Sequence, residues 1–366
     1  MQRIALDFVR PGMELAKDVY GTDGRVMLTA GGIINESILF RLKQWEITSL
    51  YIKNPLVELP VVSEILQETT RLKAIQTVQD MFEKLYQQKR LEITDEHENI
   101  TKAIIKEVLS DSSAVIHLAQ IRRHHDSTFA HSINVTVLST LTGIALGLYD
   151  EKDLYMLALG AMLHDVGKVM IPAAILAKQE PLSQEEAEIY GTHTHWGFEL
   201  LKNTKEFPLL AAHIALQHHE KVDGTGYPRR LTGDSIHRLA RIVIIANEFD
   251  NMIADRIECK GMEMHMAYET ITGGIGTFFD VETAKAFLSK LAIYSVGTMV
   301  RLTSGDIGVV SDDMLMVQHR PKILIIAKAD GTLYEKPFVM DLANQGNLTM
   351  FIVEVLSDLE VASFIM

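Results

Sequence analysis

Two short stretches of the sequence carry side chains that could bind metal ions and act on a phosphate. LHDVGK, residues 163–168, sets a histidine beside an aspartate, with a lysine three positions later. QHHEKVDGTGYP, residues 217–228, sets two adjacent histidines before a loop that contains glycine. Imidazole and carboxylate groups suit Zn, Fe, Mn or Ni, whereas soft thiolate ligands are nearly absent from this chain. The candidate ligands are His131, His164, Asp165, His193, His218 and His219.

The spacing of these residues favours a pair of ions. Adjacent residues of a helix point about 100° apart, so His218 and His219 are predicted to serve two neighbouring ions. By the same geometry Asp165 can bridge both ions while His164 binds one. Lys168 shares the helical face of Asp165 and can reach a phosphate oxygen or a hydroxide. Two ions lower the pKa of a water between them and clamp the phosphate under attack, and a phosphodiester needs both effects.

Each part of this pattern also has a structural interpretation. A lone histidine on an apolar helix is more often a core residue than a ligand, and a Gly-x-Gly loop more often ends a helix than binds a substrate. The metal hypothesis therefore depends on the co-occurrence of the candidates. Other histidines are assigned to the fold or to the solvated surface: His117, His124, His125, His195, His213, His237 and His265.

The elements that must position these residues are mainly helical. From residue 61 to about 294, apolar residues recur at spacings of three and four. Residues 1–58 predict a small α/β unit, with two strands around Asp23-Gly24 and a helix capped by Asn35. The tail after Tyr294 is rich in valine, isoleucine and glycine-containing turns, which predicts a small β domain. The predicted fold class is multidomain and mainly α.

Composition narrows the classes of function. The chain has 366 residues, enough for two or three domains, and a net charge of −13, which argues against binding a nucleic-acid polymer. Its single cysteine, Cys259, excludes an internal disulfide and fits a reducing cytoplasm. The run from Ile133 to Tyr149 contains Asn, Ser and Thr, so we expect a buried helix and no membrane span. The first residues lack the layout of a signal peptide.

The two motifs together resemble the HD-GYP domain, a branch of the HD metal-dependent phosphohydrolases. LHDVGKVMIPAAILAK and HHEKVDGTGYP carry the resemblance, which extends through HSINVTVLSTLTGIALG, THTHWGFELL and LARIVIIANEFDNMIADR. It implies an all-α HD-GYP catalytic core at residues 101–294, flanked by an N-terminal α/β domain (1–60), a connecting helix (61–100) and a β-rich extension (295–366). It also implies hydrolysis of cyclic di-GMP to pGpG, and on to GMP, by a metal-bridging hydroxide.

The resemblance assigns roles by position. It implies two divalent transition-metal ions, Fe or Mn first and Ni or Zn as alternatives. It implies catalytic roles for Asp165 and Lys168. The positions that match metal ligands are His131, His164, Asp165, His193, His218, His219 and Asn247. The positions that match substrate-binding residues are Gly226, Tyr227, Pro228, Asp250 and Arg256.

Departures from the family pattern keep other functions open. Asn247 stands where the family has an aspartate ligand and brings no negative charge, so it binds divalent ions more weakly. Ser127 lies four residues before His131, where some members have a glutamate for a third metal. DRIEC, residues 255–259, replaces the usual DRPYK. One alternative is a degenerate receptor for cyclic di-GMP or a protein partner, with little turnover. Another is an HD phosphohydrolase for a different phosphoester. A homodimer and a GGDEF-type protein are the predicted partners.

Overall fold

The computed structural model describes residues 1–366 except 22–24, 46, 48, 55, 58–64, 89, 111–127, 179, 255–260, 313–318 and 366. The described residues fall into two units. One is formed by residues 1–64 and 292–366, and the other by residues 65–116 and 126–291.

The second unit is helical. Its helices are α2 (Glu68–Gln88), α3 (Asp95–Ser110), α4 (Thr128–Ala145), α5 (Glu151–Met162), α6 (Ala173–Leu176), α7 (Gln184–Gly191), α8 (His193–Lys202), α9 (Leu209–Gln217), α10 (Arg238–Ile253), α11 (Met264–Gly273) and α12 (Val281–Leu288). Short 3-10 segments cover Val166–Met170 and Gly233–Ser235. The mainly helical fold class is confirmed.

Helix α4 lies in the interior of this unit, packed against α5, α10 and α2. It is buried although it contains several hydroxyl side chains, and three of these are satisfied within the helix. Thr136, Thr140 and Thr142 each donate a hydrogen bond of 2.7 Å to the carbonyl oxygen four residues earlier. The polar groups that distinguish this run from a membrane segment are therefore compatible with a protein core. In the described part of the chain, every helix is too short or too polar to traverse a lipid bilayer.

The first unit combines strands from both ends of the sequence. Its strands are β1 (Gln2–Ala5), β2 (Val19–Tyr20), β3 (Val26–Leu28), β4 (Ser49–Ile52), β5 (Met299–Leu302), β6 (Ile307–Asp312), β7 (Lys322–Ala327), β8 (Leu333–Asp341) and β9 (Ile352–Val355). Strands β5 to β9 form one antiparallel sheet in the order β8-β7-β6-β5-β9. The prediction of a C-terminal β structure is confirmed.

The N-terminal segment pairs β1 with β4 and β2 with β3, both antiparallel. Helix α1 (Glu36–Gln44) begins as predicted at Asn35, whose side chain accepts a hydrogen bond of 2.9 Å from the backbone N–H of Ile38. The Asp23-Gly24 turn lies outside the described residues.

One core joins the two ends of the sequence in this unit. Ile4, Leu50 and Ile52 of the N-terminal segment share a buried cluster with Val309 of β6 and Val361 of the closing helix α13 (Asp358–Ile365). The apolar side chains of each segment are thus covered by the other. The four-part division of the chain given above stays a prediction, while the N-terminal and C-terminal segments themselves form one packed body.

Candidate metal centre

Four separate segments of the helical unit bring the candidate ligands to one place. His131 lies in the first turn of α4, and His164 and Asp165 follow the end of α5. His193 is the first residue of α8, and the His218-His219 pair directly follows α9. Their ligand atoms form two groups, within each of which all atoms lie within 4.8 Å of one another. The first group is Asp165, His193, His218 and His219, and the second is His131, His164 and Asp165.

Asp165 is the residue that the two groups share. Its side chain is buried, and each of its oxygens faces one group. Oδ1 lies 3.5 Å from His193 Nε2 and 3.6 Å from His218 Nε2. Oδ2 lies 3.3 Å from His164 Nε2 and 3.9 Å from His131 Nε2. This is the arrangement expected of a carboxylate that bridges two cations.

Backbone carbonyl groups orient three of the imidazole rings. The Nδ1 atoms of His164, His193 and His218 lie 2.7, 2.6 and 2.9 Å from the carbonyl oxygen three residues earlier. Because a carbonyl can only accept, each Nδ1 carries the hydrogen and each Nε2 presents a lone pair to the centre. His193 Nε2 and His218 Nε2 are 3.2 Å apart, so two lone pairs face each other. A cation between them removes this repulsion.

Other buried polar atoms of the centre fit the same explanation. Among the described residues, His164 Nε2 and Asp165 Oδ1 have no hydrogen-bond partner although both are buried. Buried polar atoms are normally paired, and a metal ion is a partner that satisfies them. The donor set of imidazoles and one carboxylate also suits a divalent transition metal. The residues present therefore fit a metal centre.

Burial keeps the imidazoles in the form that binds metals. It lowers the pKa of His193 and lowers that of His218 to about 3. Burial and the neighbouring His218 hold the pKa of His219 well below its usual value. These rings are therefore neutral near pH 7, as metal ligation requires.

Lys168 keeps the shared carboxylate ionised. Burial by itself raises the pKa of Asp165, but Lys168 Nζ, 2.6 Å from Asp165 Oδ2, outweighs it and holds the pKa well below the usual value. Burial likewise lowers the pKa of Lys168, and the Asp165 carboxylate reverses this and raises it. Lys168 Nζ also lies 5.6 Å from the centre of the Tyr190 ring. The centre thus holds one fixed anion and one fixed cation side by side.

The structure differs from the expectation that His218 and His219 serve separate ions. That expectation assumed a helix that continues through both positions, but α9 ends at Gln217, and His218, which still has helical backbone angles, is its C-cap. Beyond the helix end, both rings turn into the group that contains His193. The 100° rule for helices does not apply outside a helix.

Asn247 belongs to the other group. Its Oδ1 lies 3.1 Å from His131 Nε2 and accepts a hydrogen bond of 3.1 Å from Asn251 Nδ2. Each group therefore has four candidate ligands when Asp165 is counted in both. The group around His131 contains a neutral amide where the other contains a third imidazole, so the shared carboxylate is the one anionic ligand of both.

Asp250 lies against His131, on the side of the ring that faces away from Asp165. Its Oδ2 is 2.6 Å from His131 Nδ1, and its Oδ1 accepts a hydrogen bond of 3.0 Å from Asn134 Nδ2. Burial by itself lowers the pKa of His131, but the hydrogen bond to Asp250 reverses this and raises it. Both carboxylate oxygens are engaged in the interior, where Asp250 is 2% exposed. We therefore regard Asp250 as a partner of His131, although the sequence pattern predicts a substrate contact.

The Gly226-Tyr227-Pro228 loop lies against the first group. The Tyr227 ring stacks on His219, with ring centres 4.6 Å apart and planes 16° apart, and its backbone N–H donates to the His219 carbonyl oxygen at 3.0 Å. A methyl group on Gly226 would lie 2.4 Å from the backbone nitrogen of Lys221, so this approach requires glycine. Burial raises the pKa of Tyr227, and the phenol keeps its proton.

Glu220 holds the end of the same loop through hydrogen bonds to its backbone. It is fully buried, and its carboxylate accepts hydrogen bonds from the backbone N–H groups of Arg229, at 2.8 Å, and Leu231, at 2.9 Å. The sequence analysis missed Glu220, Asn134 and Arg71. Glu220 directly follows the candidate ligands His218 and His219, and that adjacency was the available signal for it. Arg256 and Ser127 lie outside the described residues.

Comparisons with known proteins agree with this geometry. A family model described as the HD domain matches residues 91–282. A Pseudomonas aeruginosa protein named as a cyclic di-GMP phosphodiesterase is 29% identical over 248 residues, which cover 68% of this chain and 59% of that protein. A Xanthomonas campestris response regulator with the same named activity is 34% identical over 173 residues, covering 47% of this chain and 46% of that protein. This chain therefore matches only about half the length of these relatives.

Two further matches bear on substrate and fold. A Vibrio cholerae protein named as a 3'3'-cGAMP-specific phosphodiesterase is 34% identical over 164 residues, covering 45% of this chain and 35% of that protein. The solved structure of a Bdellovibrio bacteriovorus protein described as HDG"Y"P superposes with a TM-score of 0.52 at 19% identity. That match covers 78% of this chain and 97% of the other, and at this identity it supports the fold alone.

Proposed function

Because this chain belongs to the HD-domain family, we propose that it is a metal-dependent phosphodiesterase that hydrolyses cyclic di-GMP. The observation that carries the proposal is the position of Asp165 between the two ligand groups. Its Oδ1 faces the group that contains His193, and its Oδ2 faces the group that contains His131. A single ion needs only one of these ligand groups, whereas a shared carboxylate suits the paired ions that act on phosphodiesters. The proposed metals are Fe or Mn, with Ni and Zn as alternatives for the same ligands.

The ligands divide between the two proposed ions. His193, His218 and His219 would hold one ion, and His131, His164 and Asn247 would hold the other, with Asp165 common to both. When bound, such ions acidify a water molecule and draw negative charge from the phosphate. They also offset the formal net charge of −13, which otherwise repels a dinucleotide with two phosphates.

Lys168 has the position of an electrostatic catalyst. Its side chain is 21% exposed, and its ammonium group lies 2.6 Å from Asp165 Oδ2. Because its pKa is raised, it is positive near neutral pH. In our proposal it stabilises the charge that develops on the phosphate oxygens during attack. The Tyr227 phenol, held on His219, is positioned to donate a hydrogen bond to the substrate at the mouth of the centre.

The products and the remaining contacts extend this proposal. Cleavage of one phosphodiester bond of cyclic di-GMP gives linear pGpG, and cleavage of the second gives GMP. The loop from Gly226 to Pro228 would form one wall for the substrate, and Arg256 would contact a phosphate or a guanine. A homodimer or a GGDEF-type partner stays a prediction from the family resemblance.

A receptor with little turnover is the second candidate, and one observation favours it. Asn247 supplies a neutral ligand to the His131 group, so that group attracts a divalent ion less strongly than a carboxylate-containing group would. A centre that loses one ion would still bind a cyclic dinucleotide through the other ion and Lys168.

The test is incubation of protein expressed in iron- and manganese-supplemented medium with cyclic di-GMP and, separately, with 3'3'-cGAMP. Metal content is measured per chain, and products are separated by chromatography. We expect about two ions per chain and conversion of cyclic di-GMP to pGpG. Matched variants lie on the same helix: His193→Ala should abolish both results, while the exposed His195→Ala should leave them unchanged. Tight binding without products would establish the receptor instead, and the absence of bound metal would refute both.

A further inference from the structure

Helix α2 lies before the residues that match the HD domain, yet it contributes a charged side chain to the interior of the helical unit. The match begins at residue 91, and α2 covers Glu68–Gln88. Arg71, in the first turn of α2, is only 6% exposed. An arginine is rarely buried unless its charge has a purpose or a partner inside. The residues that this guanidinium group contacts therefore indicate why it is buried.

Arg71 begins a chain of hydrogen bonds that ends on a candidate metal ligand. Its Nη1 donates to Asn134 Oδ1 at 2.6 Å. Asn134 Nδ2 then donates to Asp250 Oδ1 at 3.0 Å, and Asp250 Oδ2 lies 2.6 Å from His131 Nδ1. The chain joins α2, α4 and α10, and Asn134 and Asp250 are buried along it.

The two charged ends of this chain fix the direction of the amide between them. With its oxygen toward Arg71 and its NH₂ group toward Asp250, Asn134 pairs with both neighbours. The reversed amide would place NH₂ against the guanidinium and oxygen against the carboxylate, and both contacts would be repulsive. Arg71 therefore sets the orientation of Asn134, and Asn134 in turn holds one oxygen of Asp250.

His131 depends on this chain in a way that the other rings do not. His164, His193 and His218 are oriented by backbone carbonyls of their own segments, which cannot rotate away. The Nδ1 of His131 is held by a side-chain carboxylate, which keeps its direction only if its other oxygen is held as well. An anionic partner also makes an imidazole a stronger metal ligand, and His131 shares its group with the neutral Asn247.

We propose that Arg71 is a positioning residue of the metal centre. Acting through Asn134 and Asp250, it fixes the ring of His131 and thereby sets how tightly the His131–His164–Asn247 group holds its ion. Helix α2 is then a working part of the centre and not only a connection to it. This inference rests on the metal centre of the proposed function, and it adds a control point outside the residues matched by the HD domain.

The test is cobalt titration of the metal-free protein, followed by visible absorption and by counting of ions retained against a chelator. Arg71→Met removes the guanidinium group and keeps an apolar side chain of similar length. We expect the first cobalt ion to bind as in the unaltered protein and the second to bind about tenfold more weakly, with a changed absorption band. Arg71→Lys, which keeps a donor and the charge, should recover part of the affinity.

Thr77→Val is the matched control, because Thr77 is buried in the same helix and its hydroxyl donates only to the Lys73 carbonyl. It should lower the melting temperature without selective loss of the second ion. If Arg71→Met weakens both ions in step with its melting temperature, as a general loss of stability would, the inference is overturned. Unchanged binding of both ions overturns it as well.

Asn134→Leu breaks the same chain without touching Arg71, and it replaces the first variant if Arg71→Met fails to fold. Selective weakening of the second ion supports the inference, and wild-type binding overturns it. The two proposals fail separately: an unaltered protein that binds two cobalt ions but leaves cyclic di-GMP intact refutes the substrate and leaves this test valid. An unaltered protein with a single cobalt site refutes the inference, since the His131 group then holds no ion.

Discussion

Gly167 lies where the 3-10 segment that follows Asp165 meets the start of α8. A methyl group at this position would be 1.9 Å from the carbonyl oxygen of His193 and 2.4 Å from the backbone nitrogen of Gly197. Real Cβ contacts essentially never fall below 3.0 Å, and both neighbours here are backbone atoms that cannot rotate aside. Going from 1.9 to 3.0 Å requires the two segments to separate by at least ~1.1 Å in Gly167→Ala.

That displacement is large on the scale of metal coordination. Ligand distances in a metal site tolerate about 0.2 Å, so a shift several times larger removes a ligand from its ion. Asp165 and His193 lie on opposite sides of the seam, with Oδ1 and Nε2 3.5 Å apart. Overpacking typically costs about 1–3 kcal/mol, which a domain of this size can lose and still fold. We therefore expect Gly167→Ala to fold, to lose the ion of the His193 group, and to lose hydrolysis with it.

Gly197→Ala provides the control at the same seam. Its added methyl group would lie 3.3 Å from the Ala215 Cβ and 3.4 Å from the Gly167 nitrogen, which a shift of a few tenths of an ångström accommodates. The assay is metal content per chain, the circular dichroism spectrum and thermal unfolding of both variants, with product formation from cyclic di-GMP. Full metal content in a folded Gly167→Ala would show that the seam does not set the distance between these ligands.

Three further predictions concern single groups. Asn247→Asp adds an anionic ligand, so the protein should release metal to a chelator about tenfold more slowly or better, and unchanged release would contradict the assignment of Asn247 as a ligand. In metal-free protein, the unfolding free energy should fall by about 2 kcal/mol between pH 7 and pH 5 because of His218. Over this range the unfolded ring, with a pKa near 6.5, becomes protonated, whereas the folded ring, with a pKa of about 3, stays neutral. Urea titrations at both pH values should show this loss reduced in His218→Gln, and an equal loss in the variant would exclude His218 as its source. Glu220→Gln must turn an NH₂ group toward the N–H of Arg229 or Leu231, so its unfolding free energy should fall by roughly 1–3 kcal/mol, whereas unchanged stability and unchanged proteolysis of the loop would refute its role as an anchor.

The candidate ligands could be identified from the sequence because of their residue types. Histidine and aspartate are unusual among apolar helical residues, so His131, His164 and Asp165 stand out as candidates by residue type alone. Their roles as ligands stay a prediction, although the structure brings them together. The structure places His218 and His219 in one candidate group, whereas the expectation of separate ions assumed that the helix continues past Gln217. No glycine or proline marks the end of α9 at Gln217, and the first glycine after it is Gly224.

Long-range contacts explain the rest of what the sequence analysis missed. His131 and Asp250 are 119 positions apart, and Arg71 and Asn134 are 63 positions apart. Helical periodicity indicates that a residue faces inward, but it does not indicate which side chain it meets there. The contact between Asp250 and His131 and the contact between Arg71 and Asn134 therefore could not be predicted from the sequence. The common core of the N-terminal and C-terminal segments was hidden for the same reason.

That common core has a consequence for the synthesis of the protein. Ile4, Leu50 and Ile52 are made before Val309 and Val361, which cover them and follow roughly 260–360 residues later. At roughly 5–20 residues per second, the ribosome needs about 13–70 s for that interval. Throughout it the helical unit can fold as the chain emerges, while the first strands keep their apolar faces open to water. The N-terminal strands thus wait for their partners longer than the helical unit does, and their exposed apolar faces are a target for chaperones during that time.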